Sequence, residues 1–458
     1  MLSRSTKEAI KAALSVVIAL CLAIFFQWEK PYWAGIAVVV TALNETFAHS
    51  LQKGQNRVFG SLMGVCYALF LLALFPQDRF LFLTFYGLFL GLSLFMSSDE
   101  KHGYIFVQGY TVCTIICCMG EFDSANTFHY MILRTQETLL GVAVFTLVYK
   151  VLWPVTTQTV FMNEYIKLHA KLKLALNHVG EGTLSANEIQ NLEQSATHLH
   201  HILLLPNNGS YDLQFYKKQW LEHLRQIQVT IHVLELCDKK NNEFAKYISD
   251  IKNNMLVFDH SMPLLPLLPR DLLELTKEHT KDESFIYHGN LKQRMQDDVL
   301  KVVQGLSMFI TAVAVWIYFP VPGGVAFPMI AGILATNLPP LPPRVIRDAF
   351  WGTILLGSFY LIQLVFIMPS FTEIWQLASF YLINIFAIWK VFDSPRMGIF
   401  RVLAANLLLV LTSGALNLTP SYSIDGSLMM IVYLLILLMI ARVFSDLFHP
   451  KASFGLPN

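Results

Sequence analysis

AIKAALSVVIALCLAIFFQ, residues Ala9–Gln27, carries one charge, Lys11, in nineteen positions. A helix rises about 1.5 Å per residue, so about 20 such residues cover the roughly 30 Å hydrocarbon core of a bilayer. The run reads as a helix crossing a membrane. The same rule finds five more candidate spans before a long polar stretch: Trp33–Ser50, Arg57–Phe75, Phe80–Ser97, Gly103–Gly120 and Phe128–Leu152. Six follow it: Val302–Phe319, Gly324–Asn337, Ile346–Met368, Glu373–Val391, Ile399–Leu416 and Ser427–Phe448. Gly324–Asn337 is short for a full crossing and contains Pro328, which predicts a tilted, broken or re-entrant segment.

Composition agrees. Of 458 residues, 54% are hydrophobic and only 14% charged, against about 25% charged in soluble domains. The 33 basic and 32 acidic residues leave a net charge of +1, which excludes a general attraction for nucleic acid. Six cysteines, five of them within apolar runs, form neither a disulfide framework nor a zinc pattern. The fold class is an all-α polytopic membrane protein.

Between Pro154 and Asp298 charges become frequent, and ten of the fourteen histidines lie there. Leu213, Tyr216, Trp220, Leu224, Ile227, Ile231 and Leu234 recur at helical spacing, the mark of an amphipathic helix packed on neighbours. Ser185 and Glu188 have the spacing of a capping box. This block reads as a helical cytosolic insert. The expected organisation is a first transmembrane repeat over residues 1–154, the insert over 155–299, a second repeat over 300–450 and a tail over 451–458.

Basic residues set the expected orientation. Arg4, Lys7, Lys11, Lys53, Arg57, Lys101 and Lys150 fall on one side, joined by Arg344, Arg347, Lys390, Arg396, Arg442 and Lys451 from the second half. Lys30 and Arg79 fall on the other, with Arg134 near that boundary. Both termini and the insert are thus expected in the cytoplasm, with the N-terminal run retained and not cleaved as a signal peptide. Two six-span groups that both begin and end there have the same orientation, as in a parallel duplication. Local text supports one. Asp99, Lys101, Gly103, Ile105 and Phe106 precede the fifth span, and Asp393, Arg396, Gly398, Ile399 and Phe400 precede the eleventh. Gly60 and Gly64 open the third span as Gly352 and Gly357 open the ninth. Two parallel six-helix repeats are a common build for secondary transporters.

Three motifs carry a family resemblance: Glu29-Lys30-Pro31-Tyr32-Trp33-Ala34, Arg57-Val58-Phe59-Gly60-Ser61-Leu62-Met63-Gly64, and Arg134–Gly141 followed by Trp153-Pro154. With the six-span, insert, six-span order, the chain resembles the fusaric acid resistance family, also described as aromatic acid exporters. The resemblance implies proton-linked efflux of aromatic carboxylic acids across the bacterial inner membrane. It also implies partners in a periplasmic adaptor protein and an outer-membrane channel. The chain departs from the family pattern in its compact insert and in its second half, where Pro320-Val321-Pro322-Gly323-Gly324 replaces the Lys-Pro-Tyr-Trp signature.

Ionisable groups inside spans are costly and so are candidates for a pathway. Glu45 and His49 stand one turn apart near the end of the second span. There Glu45 either takes up a proton in a partly dry site or snorkels to water. Arg134 and Glu137 share a face of the sixth span. Arg134 either holds a substrate carboxylate in competition with Glu137, or the two neutralise each other where the helix leaves the surface. Arg57 and the Arg347-Asp348 pair read as anchors at helix starts, with a pathway role as the alternative. Gly60, Gly64, Gly352 and Gly357 read as close-packing steps. Trp28, Tyr32 and Trp33 read as an interface anchor. His198-Leu199-His200-His201 has no second cluster to make a metal site. No phosphate-cradling glycine–lysine loop and no nucleophile–base set is legible.

The expectation is an inner-membrane secondary transporter, not an enzyme and without a cofactor, that exports small aromatic or other organic acids on proton entry. Glu45 is the first choice of proton carrier and Arg134 of anion recognition. A membrane scaffold whose insert binds a partner is the alternative, and a homo-oligomer is left open.

Overall fold

The computed structural model describes residues 3–42, 47–99, 102–120, 122–154, 157–181, 186–204, 215–238, 291–319, 321, 324–394 and 397–448. The chain divides into two compact units, one of Met1–Asn44, Lys53–Trp153 and Lys292–Asn458, the other of Glu45–Gln52 and Pro154–Leu291. All described regular structure is helical.

The first half of the chain contributes α1 (Arg4–Phe25), α2 (Tyr32–Thr41), α3 (Phe47–Leu74), α4 (Arg79–Met96), α5 (Gly103–Met119) and α6 (Ser124–Val151). Helix starts follow local chemistry. Ser3 accepts from Thr6 N at 3.2 Å to cap α1, Asp78 from Phe80 N and Leu81 N at 3.0 Å to cap α4, and Asp123 from Asn126 N at 2.9 Å to cap α6.

The second half contributes α10 (Leu291–Tyr318), α11 (Ala326–Asn337), α12 (Pro343–Phe366), α13 (Ile374–Val391), α14 (Gly398–Leu411) and α15 (Ile424–Phe448). Pro343 opens α12, where its missing N–H costs nothing, and Glu373 with Gln376 forms a capping box on α13.

Eight of the described helices are long and apolar enough to cross a membrane: α1, α3, α4, α6, α10, α12, α13 and α15. Four are shorter: α2, α5, α11 and α14. These four hold the second and fifth places of each half. They also pair with one another across the halves, α2 on α14 and α5 on α11. In α2, seven of ten residues are buried, and in α11 seven of twelve. A helix end at membrane depth leaves backbone N–H and C=O groups that lipid cannot satisfy. Short helices are therefore stable only when protein surrounds them, and the long helices supply that surround.

The chain is thus an all-α polytopic membrane protein, with one correction to the spans. The expected second span, Trp33–Ser50, stops at Thr41. Ten residues give about 15 Å of helix, half a bilayer core. Residue 49 belongs instead to α3, which starts at Phe47, ten residues before the expected Arg57. The apolar count was continuous through Leu43, and polar Asn44 and Glu45 were too few to signal a break. The expected short run at Gly324–Asn337 corresponds to α11, twelve residues long.

Within a bilayer, helix association rests on van der Waals packing and small residues, since lipid is as apolar as leucine. The α3–α5 crossing is built that way. A Cβ at Gly60 would stand 2.6 Å from Ile105 O, and one at Gly64 would overlap Gly109 O. The second-half glycines make weaker steps. Gly352 faces Leu403 and Phe400 of α14, and Gly357 faces Ile431 of α15.

The described residues of the other unit form α7 (Thr157–Glu181), α8 (Ala186–Leu204) and α9 (Lys217–Asp238), packed on one another. Their core holds Leu168, Leu172 and Leu176 from α7, Leu192, Ala196 and Leu199 from α8, and Trp220, Leu224, Ile227, Ile231 and Leu234 from α9. The stripe read from the sequence is the buried face of α9; Leu213 and Ser185 lie outside the described residues.

One polar pair interrupts that core. Tyr165 Oη and His223 Nε2 share a 2.7 Å hydrogen bond. Burial, and secondarily His169, push the imidazole down to about 4. The unfolded chain, with histidine near 6.5, then binds more protons than the folded one between pH 6.5 and 4. The stability from neutral His223 is present in full above 6.5 and is lost as pH falls through that window, roughly 3 kcal/mol in all. Hydrogen exchange of α7 and α9 peptides in the intact protein, corrected for intrinsic rate, should show protection falling from pH 7 to 4.5, and falling less in His223→Gln. Equal protection at both pH values in the wild type would refute this.

Candidate functional site

The buried stripe of α6 includes Arg134, Glu137, Thr138, Gly141, Val144, Phe145 and Val148, the spacing of one helical face. Two of those residues are charged. Opposite them runs α2, which approaches α6 most closely at Gly141: a Cβ there would stand 2.6 Å from Ala37 Cβ and 2.7 Å from Ala34 O. That crossing carries Trp33, the residue before Ala34, to the Arg134 end of the stripe.

Arg134 and Glu137 are 3% and 2% exposed, and Nη2 lies 2.9 Å from Oε2. The approach is close without hydrogen-bond alignment: Arg134 Nε and Nη2 and both Glu137 oxygens are buried and have no hydrogen-bond partner. The Arg134 guanidinium lies 4.4 Å from the centre of the Trp33 ring, whose Nε1 is likewise buried and unpartnered. A cation over an indole face is attracted by about 2 kcal/mol or more when desolvated. That attraction holds the guanidinium in place while leaving its N–H edge for other acceptors. Charges out of water cost several kcal/mol unless paired, so each of these two groups depends on the other.

Lys30, in the loop entering α2, caps the same end. Its Nζ lies 5.1 Å from the Tyr130 ring centre and donates to Met119 Sδ at 3.7 Å. Burial first, and then the Arg134 charge, hold its ammonium below the ordinary lysine value. Beside it, Glu29 and His129 approach to 3.4 Å and are both about half exposed. On α3, Arg57 is buried and donates from Nη1 to Tyr104 Oη at 2.9 Å, and Lys53 lies 5.2 Å from the centre of the same ring.

Residues 8–230 match the model of the Fusaric acid resistance protein family. Over that stretch the chain is similar to this family. Two relatives are each named p-hydroxybenzoic acid efflux pump subunit AaeB. The one from Musicola paradisiaca is 27% identical over 145 residues, covering 29% of this chain and 22% of the relative. The one from Enterobacter cloacae is 24% identical over 151 residues, covering 31% and 23%. The chain therefore matches less than a quarter of the length of these relatives. The Fusaric acid resistance match runs from within α1 to within α9, hence takes in every residue of the Trp33, Arg134 and Glu137 cluster, together with Arg57.

The other expected site residues fall elsewhere. Glu45 lies outside the described residues, as does the side chain of His49. Arg57 is not a solvated anchor but is 7% exposed. Asp348 is about half exposed and pairs with its neighbour Arg347 at 3.4 Å, away from any buried charge. Arg442 and Asp446, one turn apart on α15, pair at 3.7 Å. Arg134 and Glu137 do pair, but inside the protein and not at a surface exit. Trp33 was legible only as an aromatic beside Lys30. Its place over Arg134 comes from the α2–α6 crossing, which the small residues Ala34, Ala37 and Gly141 permit. Tyr104 carried no signal beyond its position as the second residue of α5.

Proposed function

We propose that this chain is a member of the Fusaric acid resistance family and an inner-membrane secondary transporter that exports small aromatic or other organic acids in a proton-linked cycle. One observation carries the reading: a buried guanidinium, stacked on Trp33, is in contact with Glu137 but not hydrogen-bonded to it. Arginine presents a planar fork that takes a carboxylate through two parallel hydrogen bonds. A substrate carboxylate and Glu137 therefore compete for one partner. The carboxylate that loses must find a proton, since an unpaired buried anion is too costly to persist. Substrate binding and protonation are linked through this single ion pair, with Glu137 in the role first expected of Glu45.

The architecture supports a pathway here. Short helices in corresponding places of two halves are a pointer to a transport site, and α2 and α11 are such a pair. The helix pairings also repeat: α2 with α14 against α5 with α11; α2 with α6 against α11 with α15; α4 with α5 against α13 with α14. This repetition supports two parallel six-helix repeats. The halves differ in chemistry at equivalent points. Trp33 of α2 faces Arg134 of α6, whereas Phe327 of α11 faces Tyr433 of α15 with ring centres 5.6 Å apart. On this reading the first repeat recognises the anion and the second supplies an apolar wall. The distribution of lysine and arginine supports cytoplasmic termini and insert. By analogy with the relatives named as pump subunits, an adaptor protein and outer-membrane channel are the proposed partners.

The test is efflux of radiolabelled p-hydroxybenzoate and benzoate from proteoliposomes at pH 6 and 8. Wild-type protein should transport with a pH-dependent apparent KM, and Glu137→Gln should lose that pH dependence. A Glu137→Gln variant with the wild-type pH profile sinks the proton link, and no flux of any acid sinks the transporter reading.

A further inference from the structure

Among the described residues of the unit that contains the apolar helices, five charged side chains are buried: Lys11, Arg57, Arg134, Glu137 and Asp298. Four have an opposite charge in contact. Lys11 lies 2.9 Å from Glu8, Arg134 2.9 Å from Glu137, and Asp298 3.1 Å from Lys301. Arg57 has no carboxylate within ion-pair distance among the described residues. Its Nη1 is spent on the Tyr104 hydroxyl, and its Nε is buried with no hydrogen-bond partner. A second cation, Lys53, lies 5.2 Å from the centre of the same Tyr104 ring and adds to the imbalance.

The surroundings are rigid and polar. Ser61 donates to Arg57 O at 2.8 Å, Gln108 donates from Nε2 to Ser61 Oγ at 3.4 Å, and the α3–α5 crossing at Gly60 fixes both backbones. Removing a guanidinium from water without an anion costs several kcal/mol, and such residues inside membrane helices mark ion or substrate routes. Arg57, Arg134 and Glu137 together carry one excess positive charge, which one monocarboxylate balances, and a second is balanced once Glu137 takes up a proton.

We propose that Arg57, presented between α3 and α5 beside Tyr104, is a second station for the carboxylate of the transported acid, separate from Arg134. This rests on the reading of the chain as an organic-acid transporter. The free Nε and the adjoining Nη2 edge provide the two-pronged donor, and the Tyr104 hydroxyl positions it. Two stations on one route let an anion leave the first by being attracted to the second, so neither site needs to bind tightly.

The experiment is equilibrium dialysis of the purified full-length protein in detergent with radiolabelled benzoate. Wild-type protein should bind two molecules, Arg57→Gln one, the paired variant R134Q/E137Q one, and the triple variant none. Because Arg57→Gln removes an uncompensated charge, the ligand-free variant should melt at or above the wild-type temperature, which separates a lost site from a lost fold. An Arg57→Gln protein that binds as many benzoates as the wild type overturns the proposal and leaves the Arg134 reading intact. Two sites retained in R134Q/E137Q, with one lost in Arg57→Gln, would instead remove Arg134 and keep Arg57. Inorganic phosphate filling the Arg57-dependent site in preference to benzoate also overturns it, since the ligand would then be a phosphate or lipid headgroup.

Discussion

Arg134→Gln should both unfold the protein more easily and abolish efflux, whereas R134Q/E137Q should recover the fold and not the transport. Removing one partner of a buried ion pair leaves an uncompensated charge, at a cost of about 3–5 kcal/mol. Glu137 already has two oxygens without hydrogen-bond partners, so nothing nearby takes over from Arg134. Removing both charges deletes that penalty, because two glutamines of similar volume can bond to each other across the 2.9 Å gap now between Arg134 and Glu137. Efflux is not expected to follow stability, since the paired variant has lost the guanidinium proposed to take the substrate. A melting curve in detergent and a flux assay on the same preparations check this. If the paired variant transports at the wild-type rate, the ion pair is scaffolding.

Much of this was legible beforehand because bilayer crossing is a strong one-dimensional signal. All twelve apolar runs correspond to helices, and the polar block from Pro154 separates them in both readings. What hydropathy could not show is depth. Trp33–Ser50 is continuous in apolarity to Leu43, yet its helix ends at Thr41, where the hydroxyl folds back onto Ala37 O and Val38 O at 2.8 and 2.9 Å. Burial inside the bundle was equally invisible, because lipid-facing and protein-facing positions are both apolar. Arg57 looked like an anchor since anchors sit at helix starts, and α3 in fact begins ten residues earlier. For the same reason Arg134 and Glu137 could be seen as a pair from their spacing, while their enclosure could not. Long-range contacts placed Trp33, and nothing local to residue 33 specifies them.

Gly141→Val should cost about a hundredfold in efflux without removing any group that touches substrate. Glycine at 141 lets α2 lie against α6 with Ala34 O only 2.7 Å from the place a Cβ would occupy. A backbone oxygen cannot swing aside, so the whole of α2 must move away. That helix has ten residues and is packed on α1, α6 and α14, so a shift at Ala34 is carried to Trp33, the residue before it. Displacing the indole by about 1 Å breaks its register over the guanidinium, and misplacement on that scale costs about 10²-fold in an oriented site. Overpacking also costs about 1–3 kcal/mol, so the melting temperature should fall. Gly398→Ala is the control, because a Cβ there meets nothing within 4 Å, and it should transport as the wild type does. If Gly141→Val transports normally, α2 does not need its close seat on α6, and Trp33 is not part of the site.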